Sequence, residues 1–216
     1  MRLSVKLVIL LVLILELPDV VVLTLRPESY WLRFAIDVSL AFLLPLAVVQ
    51  LLVKNRVIPY SQTGLLLPIS PVSMHAGLAL CLVSVIVTVY VVTPSLHTLF
   101  PESFFRQHVS RFPATEPLRI IYMTYAAARA AIVEEIVFRG VITSRIAMHS
   151  RARVKTVAIS CLIFGAVHWH YGPGGVLEVA LWAIIPTVWF LKRKTVWAPI
   201  IAHFAYNMWV FINYSA

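Results

Sequence analysis

Charged side chains are scarce in this sequence of 216 residues. Asp, Glu, Lys and Arg make up only 12% of it and hydrophobic residues make up 61%, whereas an average soluble domain carries roughly 25% charged residues. So few charges cannot cover a surface exposed to water, which excludes ordinary soluble, disordered and collagen-like chains. The composition instead predicts an all-α fold of the polytopic membrane class, a bundle of transmembrane helices.

Cysteines and acidic residues are also rare. The two cysteines, Cys81 and Cys161, lie inside apolar runs, so neither a disulfide framework nor a Cys-x-x-Cys metal site can be drawn. We therefore interpret them as reduced packing residues. The 9 acidic residues stand against 18 Lys and Arg, a net charge of +9. In a membrane protein such an excess usually lies in cytoplasmic loops, so it does not indicate a nucleic-acid partner.

Long hydrophobic runs predict about seven transmembrane spans. These runs cover residues 3–25, 31–53, 75–93, 118–142, 155–171, 176–191 and 196–214. The first run is too long for a signal-peptide core and lacks a small-x-small cleavage site, so we interpret it as a retained span. The fifth run is ended by the helix-breaking sequence 172–175, Gly-Pro-Gly-Gly. No second soluble domain is evident, so residues 1–216 are predicted to form a single membrane domain.

Positive charges are distributed unevenly between the two sides of this arrangement. With the amino terminus cytoplasmic, one side receives 11 of the 18 Lys and Arg residues and no acidic residue, and the other side receives 5. The residues of the basic side are Arg2, Lys6, Lys54, Arg56, Arg145, Arg151, Arg153, Lys155, Lys192, Arg193 and Lys194. Because cytoplasmic loops carry the excess of Lys and Arg, we expect the carboxyl terminus on the opposite side.

The fourth run contains two adjacent glutamates, which are expensive to place in hydrocarbon. Glu135 and Arg139 are four residues apart and therefore face each other on one side of a helix. Glu134 is rotated by about 100° from Glu135 around the helix axis, and the residue four positions after Glu134 is Phe138, which carries no charge. A buried Glu–Arg pair alone is as often structural as functional. The second, unpaired glutamate favours a functional site, with Glu134 as a general base or acid.

Two histidines lie at the same predicted depth as Glu134. At roughly 1.5 Å per helical residue, Glu134, His168 and His203 lie about 14–20 Å from basic residues at the inner ends of their spans, near the middle of a core about 30 Å thick. His203 and Asn207 are four apart and share a helix face. Three spans thus bring a carboxylate, two imidazoles and a carboxamide to one level. A polar cavity between these helices is required, because water must reach them.

The chain resembles a known family through three short motifs. They are Glu134-Glu135-x-x-x-Arg139, Phe164-x-x-x-His168 and His203-x-x-x-Asn207. In this order, each on its own predicted span, they resemble the motifs of the CPBP family of CAAX-processing and bacteriocin-processing intramembrane proteases, also called Abi or Rce1-like. The resemblance implies that residues 118–214 form the catalytic core and that residues 1–117 contribute less specific spans and a loop.

The resemblance also implies an activity, that of a glutamate-dependent endopeptidase with no metal or other cofactor. The implied catalytic residues are Glu134, His168, His203 and Asn207, and the implied supporting residues are Glu135, Arg139 and Phe164. Glu134 with His168 would activate a water, and His203 with Asn207 would stabilise the oxyanion. The implied partners are a membrane-anchored or lipid-modified peptide or protein substrate and the lipid bilayer.

Three alternatives remain open on the sequence. Glu134, His168 and His203 would form a His₂Glu zinc set, although the His-Glu-x-x-His signature is missing. Intramembrane Glu, His and Arg residues also relay protons in transporters, but we find no internal repeat of the kind many transporters carry. The third alternative is a non-catalytic scaffold or immunity protein of the same fold. The sequence does not predict the identity of the substrate or the oligomeric state.

Overall fold

The computed structural model describes residues 2–25, 29–65, 70–105, 112–113, 115–150 and 152–214. Within those residues the chain is helical, with seven long helices and no strand. They are α1 (Arg2–Leu25), α2 (Tyr30–Lys54), α3 (Pro71–Leu99), α4 (116–149), α5 (Arg153–Ala166), α6 (Trp169–Arg193) and α7 (Trp197–Tyr214). The all-α class is confirmed, and each hydrophobic run of the sequence corresponds to one helix.

Three of these helices are long and apolar enough to cross a membrane: α2, α3 and α6. In their most apolar windows, 17% of α2 and 22% of α3 are buried within the protein, against 50% of α6. The first two therefore expose their apolar side chains outward, where lipid covers them, and α6 lies nearer the centre of the bundle. A count of seven spans and the cytoplasmic amino terminus remain predictions, and so does the division into one membrane domain.

The boundary between α5 and α6 differs from the prediction. The fifth run was expected to stay helical to residue 171, but α5 ends at Ala166 and His168 lies in the turn that follows. Gly172, at φ 79°, begins a helical segment that continues to Trp182. Pro173 occupies its first turn, where its missing N–H costs nothing. The Gly-Pro-Gly-Gly sequence therefore starts a helical segment rather than separating two spans.

Three helices contain a stretch of π-helix, which the hydrophobic pattern did not predict. The π segments are Asp37–Leu43 in α2, Thr88–Val92 in α3 and Glu135–Thr143 in α4. Such segments shift the backbone hydrogen bonds to the i→i+5 pattern and occur frequently at functional sites. The first residues of two of them, Asp37 and Glu135, are ionisable.

Helix α4 is the most deeply buried element described. All nine residues of Glu135–Thr143 are buried, and the alanines at 126, 127, 130 and 131 are buried just before them. Small side chains let neighbouring helices approach closely, and α7 packs along both α4 and α3. Gly140 allows a close approach of backbone, since a Cβ there would lie 2.5 Å from the carbonyl oxygen of Thr63.

The two cysteines pack within the bundle. Cys81 and Cys161 are both free and buried, which confirms their interpretation as reduced packing residues. Cys161 belongs to the main apolar core, and Cys81 joins a smaller cluster with Trp189, Ala198 and Ala202. This smaller cluster ties α3 and α6 to α7, the helix that carries His203 and Asn207.

Candidate active site

Glu135 and Arg139 form a fully buried ion pair in the π segment of α4. The guanidinium Nη1 lies 2.9 Å from Oε1 of Glu135, and the two side chains are 1% and 0% exposed. The guanidinium also lies over the ring of Phe164, 4.1 Å from its centroid, which adds a cation–π contact. The pairing expected from the sequence is thus present, and Phe164 is in contact with it.

The same Glu135 oxygen contacts His203 on α7. Nδ1 of His203 lies 2.9 Å from Oε1 of Glu135, a contact that the sequence did not predict. Because an ionised carboxylate only accepts hydrogen bonds, Nδ1 carries the hydrogen. Glu135 therefore orients the imidazole, and the Nε2 atom faces Glu134, 3.9 Å from its Oε2.

His168 is oriented in the same way by a backbone carbonyl. Its Nδ1 lies 2.8 Å from the carbonyl oxygen of Phe164, one turn earlier. A carbonyl accepts but cannot donate, so Nδ1 again carries the hydrogen. Nε2 then faces Glu134 with its lone pair when the ring is neutral, 3.7 Å from Oε2.

Glu134 is the point on which these groups converge. Its side chain is 18% exposed, and its Oε2 is buried without a hydrogen-bond partner among the described residues. The two adjacent glutamates therefore differ completely in environment. Oε1 of Glu135 contacts both Arg139 and His203, whereas Glu134 faces two imidazole nitrogens just beyond hydrogen-bond distance.

A cavity of about 870 Å³ opens in front of Glu134. Residues of all seven helices line it, including Phe164, His168, His203 and Asn207. Asn207 makes no hydrogen bond that the structure shows within its described residues, so its amide is available to a ligand. Glu135 and Arg139 are not part of the lining; they lie behind His203. The structure thus brings all seven residues of the three motifs together, with the ion pair as the layer behind the cavity wall.

Each of the three π segments also reaches this cavity. Asp37 and Ala41 line it from α2, Tyr90 from α3 and Phe138 from α4. A π segment widens the local helix and redirects its side chains. The cavity therefore lies where three helices depart from α geometry, which a 3.6-residue hydrophobic period cannot indicate.

A second group of polar side chains lines the cavity and was missed from the sequence. Oε1 of Glu178 accepts a hydrogen bond of 2.8 Å from Thr93 and one of 3.3 Å from Tyr206. Trp182 belongs to the same lining, and its ring centroid lies 5.8 Å from that of Tyr206 and 4.8 Å from that of His203. The signal for Glu178 was present, because it is the single acid in the sixth hydrophobic run.

Glu134, His168 and His203 are the residues that a zinc ion would use. The orientation of both imidazoles by a second partner is typical of metal ligands. Three ligand atoms around a tetrahedral zinc lie about 3.3 Å apart, however, and the two nitrogens are 3.7 and 3.9 Å from Oε2. Within the described residues no group of His, Cys, Asp or Glu has an arrangement that would hold a metal ion.

Ionisable groups that converge in a polar cavity inside a bundle of apolar helices define the class of membrane-embedded proteins with a buried functional site. Residues 116–209 match the family model of type II CAAX prenyl endopeptidases, Rce1-like. The matched region contains every residue of the three motifs, so the resemblance seen in the sequence is confirmed over residues 116–209. No curated protein and no solved structure matches the chain.

Proposed function

We propose that the protein is an intramembrane endopeptidase that hydrolyses a peptide bond in a membrane-anchored or lipid-modified substrate. The observation that carries this proposal is the convergence of His168 and His203 on Oε2 of Glu134 in a cavity large enough for a peptide. The match of residues 116–209 to a family of CAAX prenyl endopeptidases supports the same reaction class. No serine or cysteine is part of this group, so a water is the nucleophile.

The water is activated by Glu134 together with His168. Two atoms 3.7 Å apart can both reach one water at about 2.8 Å, which then occupies the apex of a triangle. Glu134 takes a proton as the water attacks the carbonyl carbon of the substrate, and it returns that proton to the departing amine. The Nε2 lone pair of His168, fixed by the carbonyl of Phe164, holds the second hydrogen of the water.

His203 and Asn207 stabilise the oxyanion of the tetrahedral intermediate. The Asn207 amide donates directly, and His203 donates through Nε2 when its ring is protonated at both nitrogens. Once Glu134 has taken the proton of the water, the charges of Glu135, Arg139 and this form of His203 sum to +1, which balances the negative charge of the oxyanion. Prearranged donors of this kind each contribute roughly 10²–10³ in rate.

The supporting residues act on the position and charge of His203. Glu135 holds Nδ1, Arg139 balances the charge of Glu135, and Phe164 covers the guanidinium. Glu135 and Arg139 do not line the cavity, so they do not touch the substrate. Phe164 does line it. Loss of Glu135 or Arg139 is therefore expected to act first on folding and on the orientation of His203.

For the substrate, we propose a prenylated carboxyl-terminal tail, in line with the family description. A lipid-modified chain reaches the cavity by diffusing in the bilayer, and apolar surface on the helices faces lipid. Anionic lipid headgroups are a further partner of the basic loop side, since they attract juxtamembrane Lys and Arg residues. The other two substrate classes are a leader peptide and a carboxyl-terminal sorting tail with its own span.

The zinc-dependent alternative has one observation in its favour, the second-partner orientation of His168 and His203. In that reaction Glu134 and both Nε2 atoms would bind the ion, which would supply the Lewis acid. The distances to Oε2 would then have to shorten. We favour the reaction without a metal because Glu134 and the imidazoles already supply a base and donors.

The test compares the wild-type protein with Glu134→Gln in nanodiscs, using a farnesylated peptide that ends in a Cys-aliphatic-aliphatic-X sequence. Glu134→Gln should abolish cleavage and leave the thermal unfolding temperature nearly unchanged. Glu116→Gln is the matched control, because Glu116 lies in an exposed pair with Arg119 at the start of α4. Cleavage by Glu134→Gln at the wild-type rate would show that the base is misassigned. Proton uptake into liposomes that depends on Glu134, without any cleavage, would instead favour a transporter.

A further inference from the structure

An ion pair outside the three motifs also lines the cavity. Nη2 of Arg129 on α4 lies 3.2 Å from Oδ1 of Asp37 on α2. Both residues belong to the cavity lining. Their side chains are 24% and 21% exposed, so the pair differs from the fully buried pair behind His203. It contributes a guanidinium to the wall of a cavity in which the peptide is proposed to bind.

This ion pair leaves hydrogen-bonding capacity unused. Nε of Arg129 and Oδ2 of Asp37 are both buried without a hydrogen-bond partner among the described residues. The hydroxyl of Tyr125 approaches the carboxylate, but it too completes no hydrogen bond. A guanidinium has five N–H donors in a planar fork, and Asp37 occupies one of them. Unsatisfied buried charged groups are costly, so a ligand that matches both atoms would bind favourably.

We propose that Arg129 is the specificity residue that binds the carboxyl-terminal carboxylate of the substrate, next to the proposed peptidase centre. This inference rests on the proposed endopeptidase function. A terminal carboxylate matches the planar fork of Arg with two parallel hydrogen bonds. The backbone N–H of the same terminal residue can donate to Oδ2 of Asp37. One chain end thus satisfies both groups that the protein leaves without partners.

The spacing between Arg129 and Glu134 fits a short leaving peptide. Glu134 follows Arg129 by five positions, which corresponds to an axial rise of about 7.5 Å. They are rotated by about 140°, so they lie at opposite flanks of the α4 surface that faces the cavity, and their separation exceeds the axial rise. An extended chain covers about 3.3–3.6 Å per residue. The axial rise alone therefore leaves room for at least two residues between the cleaved bond and the terminal carboxylate. The longer path from one flank of α4 to the other leaves room for about three.

A purely structural role would make the pair a link between α2 and α4. Such a link would account for the contact between Arg129 and Asp37, but it would leave the unpartnered atoms and the position in the cavity wall unexplained. The two roles predict different results for a ligand that lacks a carboxylate. A structural link is indifferent to the charge of the peptide end, whereas a binding site is not.

The test measures binding of two farnesylated peptides of the same sequence, one with a free carboxylate and one with a carboxyl-terminal amide. Binding is measured to Glu134→Gln in phosphatidylcholine nanodiscs, so that no cleavage occurs, and again with Arg129→Gln added. We expect the acid to bind about 10- to 100-fold more tightly than the amide, and the added Arg129→Gln to remove this preference. Arg119→Gln, in the exposed pair near the start of α4, is the matched control and should keep it.

Two further variants keep the test decisive if Arg129→Gln folds poorly. Arg129→Lys retains the charge without the fork and should give an intermediate preference. Asp37→Asn removes the competing carboxylate and should increase the preference for the acid. An acid-to-amide ratio that Arg129→Lys and Asp37→Asn leave unchanged would overturn the inference. Arg129-dependent binding of phosphatidylglycerol, together with equal binding of the acid and the amide peptide, would show that the site binds a lipid phosphate and would also overturn it.

Failure of the proposed function gives a different pattern. If wild-type protein does not cleave the acid peptide but Glu134→Gln binds it with an Arg129-dependent preference, the peptidase assignment fails and the carboxylate site stands. If the wild type cleaves both peptides equally and Arg129→Gln changes neither KM, the carboxylate site fails and the peptidase stands. Absence of binding to both peptides would contradict the substrate class and the inference together.

Discussion

His203 and Glu135 are 68 residues apart in the sequence and in direct contact in the fold, with Nδ1 of the imidazole 2.9 Å from Oε1 of the carboxylate. This contact separates the functions of two adjacent glutamates. Glu135 binds His203 and Arg139 through Oε1, whereas Glu134 faces the cavity. The following predictions test this separation and the packing that maintains it.

Replacing Glu135 by Gln should strongly destabilise the protein. The variant leaves Arg139 as an uncompensated charge at a site that is fully buried, and breaking a buried pair in this way costs about 3–5 kcal/mol. Thermal unfolding in detergent measures the effect. Arg119→Gln, in an exposed pair, is the comparison and should shift the unfolding temperature little. Equal shifts for the two variants would show that the buried pair does not stabilise the bundle.

Replacing His203 by Asn should separate stability from activity. The Asn amide nitrogen can occupy the place of Nδ1 and continue to donate to Glu135, but nothing then replaces Nε2. We expect an unfolding temperature near that of the wild type and a kcat reduced by about 10²–10³. His203→Phe loses both contacts and should be destabilised as well. If His203→Asn keeps most of its kcat, then Nε2 does not take part in the reaction.

Removal of metal ions should leave the activity unchanged. The nitrogens of His168 and His203 lie 3.7 and 3.9 Å from Oε2 of Glu134, which suits a water that all three contact better than a tetrahedral zinc. Cleavage is measured after exhaustive dialysis against EDTA and 1,10-phenanthroline. Loss of cleavage that added zinc restores would establish the metal-dependent reaction instead.

Replacing Gly140 by Ala should destabilise the active-site helix. A Cβ at this position would lie 2.5 Å from the carbonyl oxygen of Thr63, a backbone atom that cannot rotate away. Overpacking of this kind costs about 1–3 kcal/mol. Gly174→Ala is the matched control, because its Cβ would lie 2.3 Å from the ring of Phe105, a side chain that can move. The same loss of stability for both would mean that the backbone contact is not limiting.

Replacing Lys194 by Gly should stabilise the end of α6. Lys194 has φ 57° and ψ 34°, the left-handed conformation, and closes the helix with a hydrogen bond from its N–H to Phe190. That conformation costs an L-residue about 1–2 kcal/mol and glycine almost nothing. Lys194→Ala loses the same side chain but keeps the strain, so Gly should unfold at a higher temperature than Ala. A lower temperature for Gly would exclude the backbone explanation.

Sequence reasoning predicted the features that depend on local periodicity. Hydrophobic runs located the helices, and the four-residue spacing of Glu135 and Arg139 predicted their pairing. The spacing could not indicate that His203 shares the same oxygen, because that contact depends on how α7 packs on α4. Equal depth of Glu134, His168 and His203 was enough to predict that they meet, but not which nitrogen of each ring faces the carboxylate.

The error at the end of α5 has a local cause. His168 was placed within a helix because the apolar run continues past it, yet its backbone at φ −97° and ψ 26° lies in a turn. Gly172 then needs a positive φ, which the sequence allowed but did not require. Glu178 and Arg129 are ionisable residues in apolar runs, but neither was assigned to the site from the sequence. Their place in the cavity wall became evident only from the arrangement of α2, α3 and α6 around α4.

The π segments also make the site sensitive to chain length. A stretch such as Glu135–Thr143 contains one residue more than an α-helix needs for the same path. It therefore behaves as a one-residue insertion in the helix. Deleting Ile142 would leave every motif residue and every motif spacing intact. It would nevertheless let the stretch close as an ordinary α-helix on the same path, which redirects the side chains within the stretch. A related sequence with perfect motifs but one residue fewer in this stretch would therefore be expected to lack the cavity, and with it the reaction.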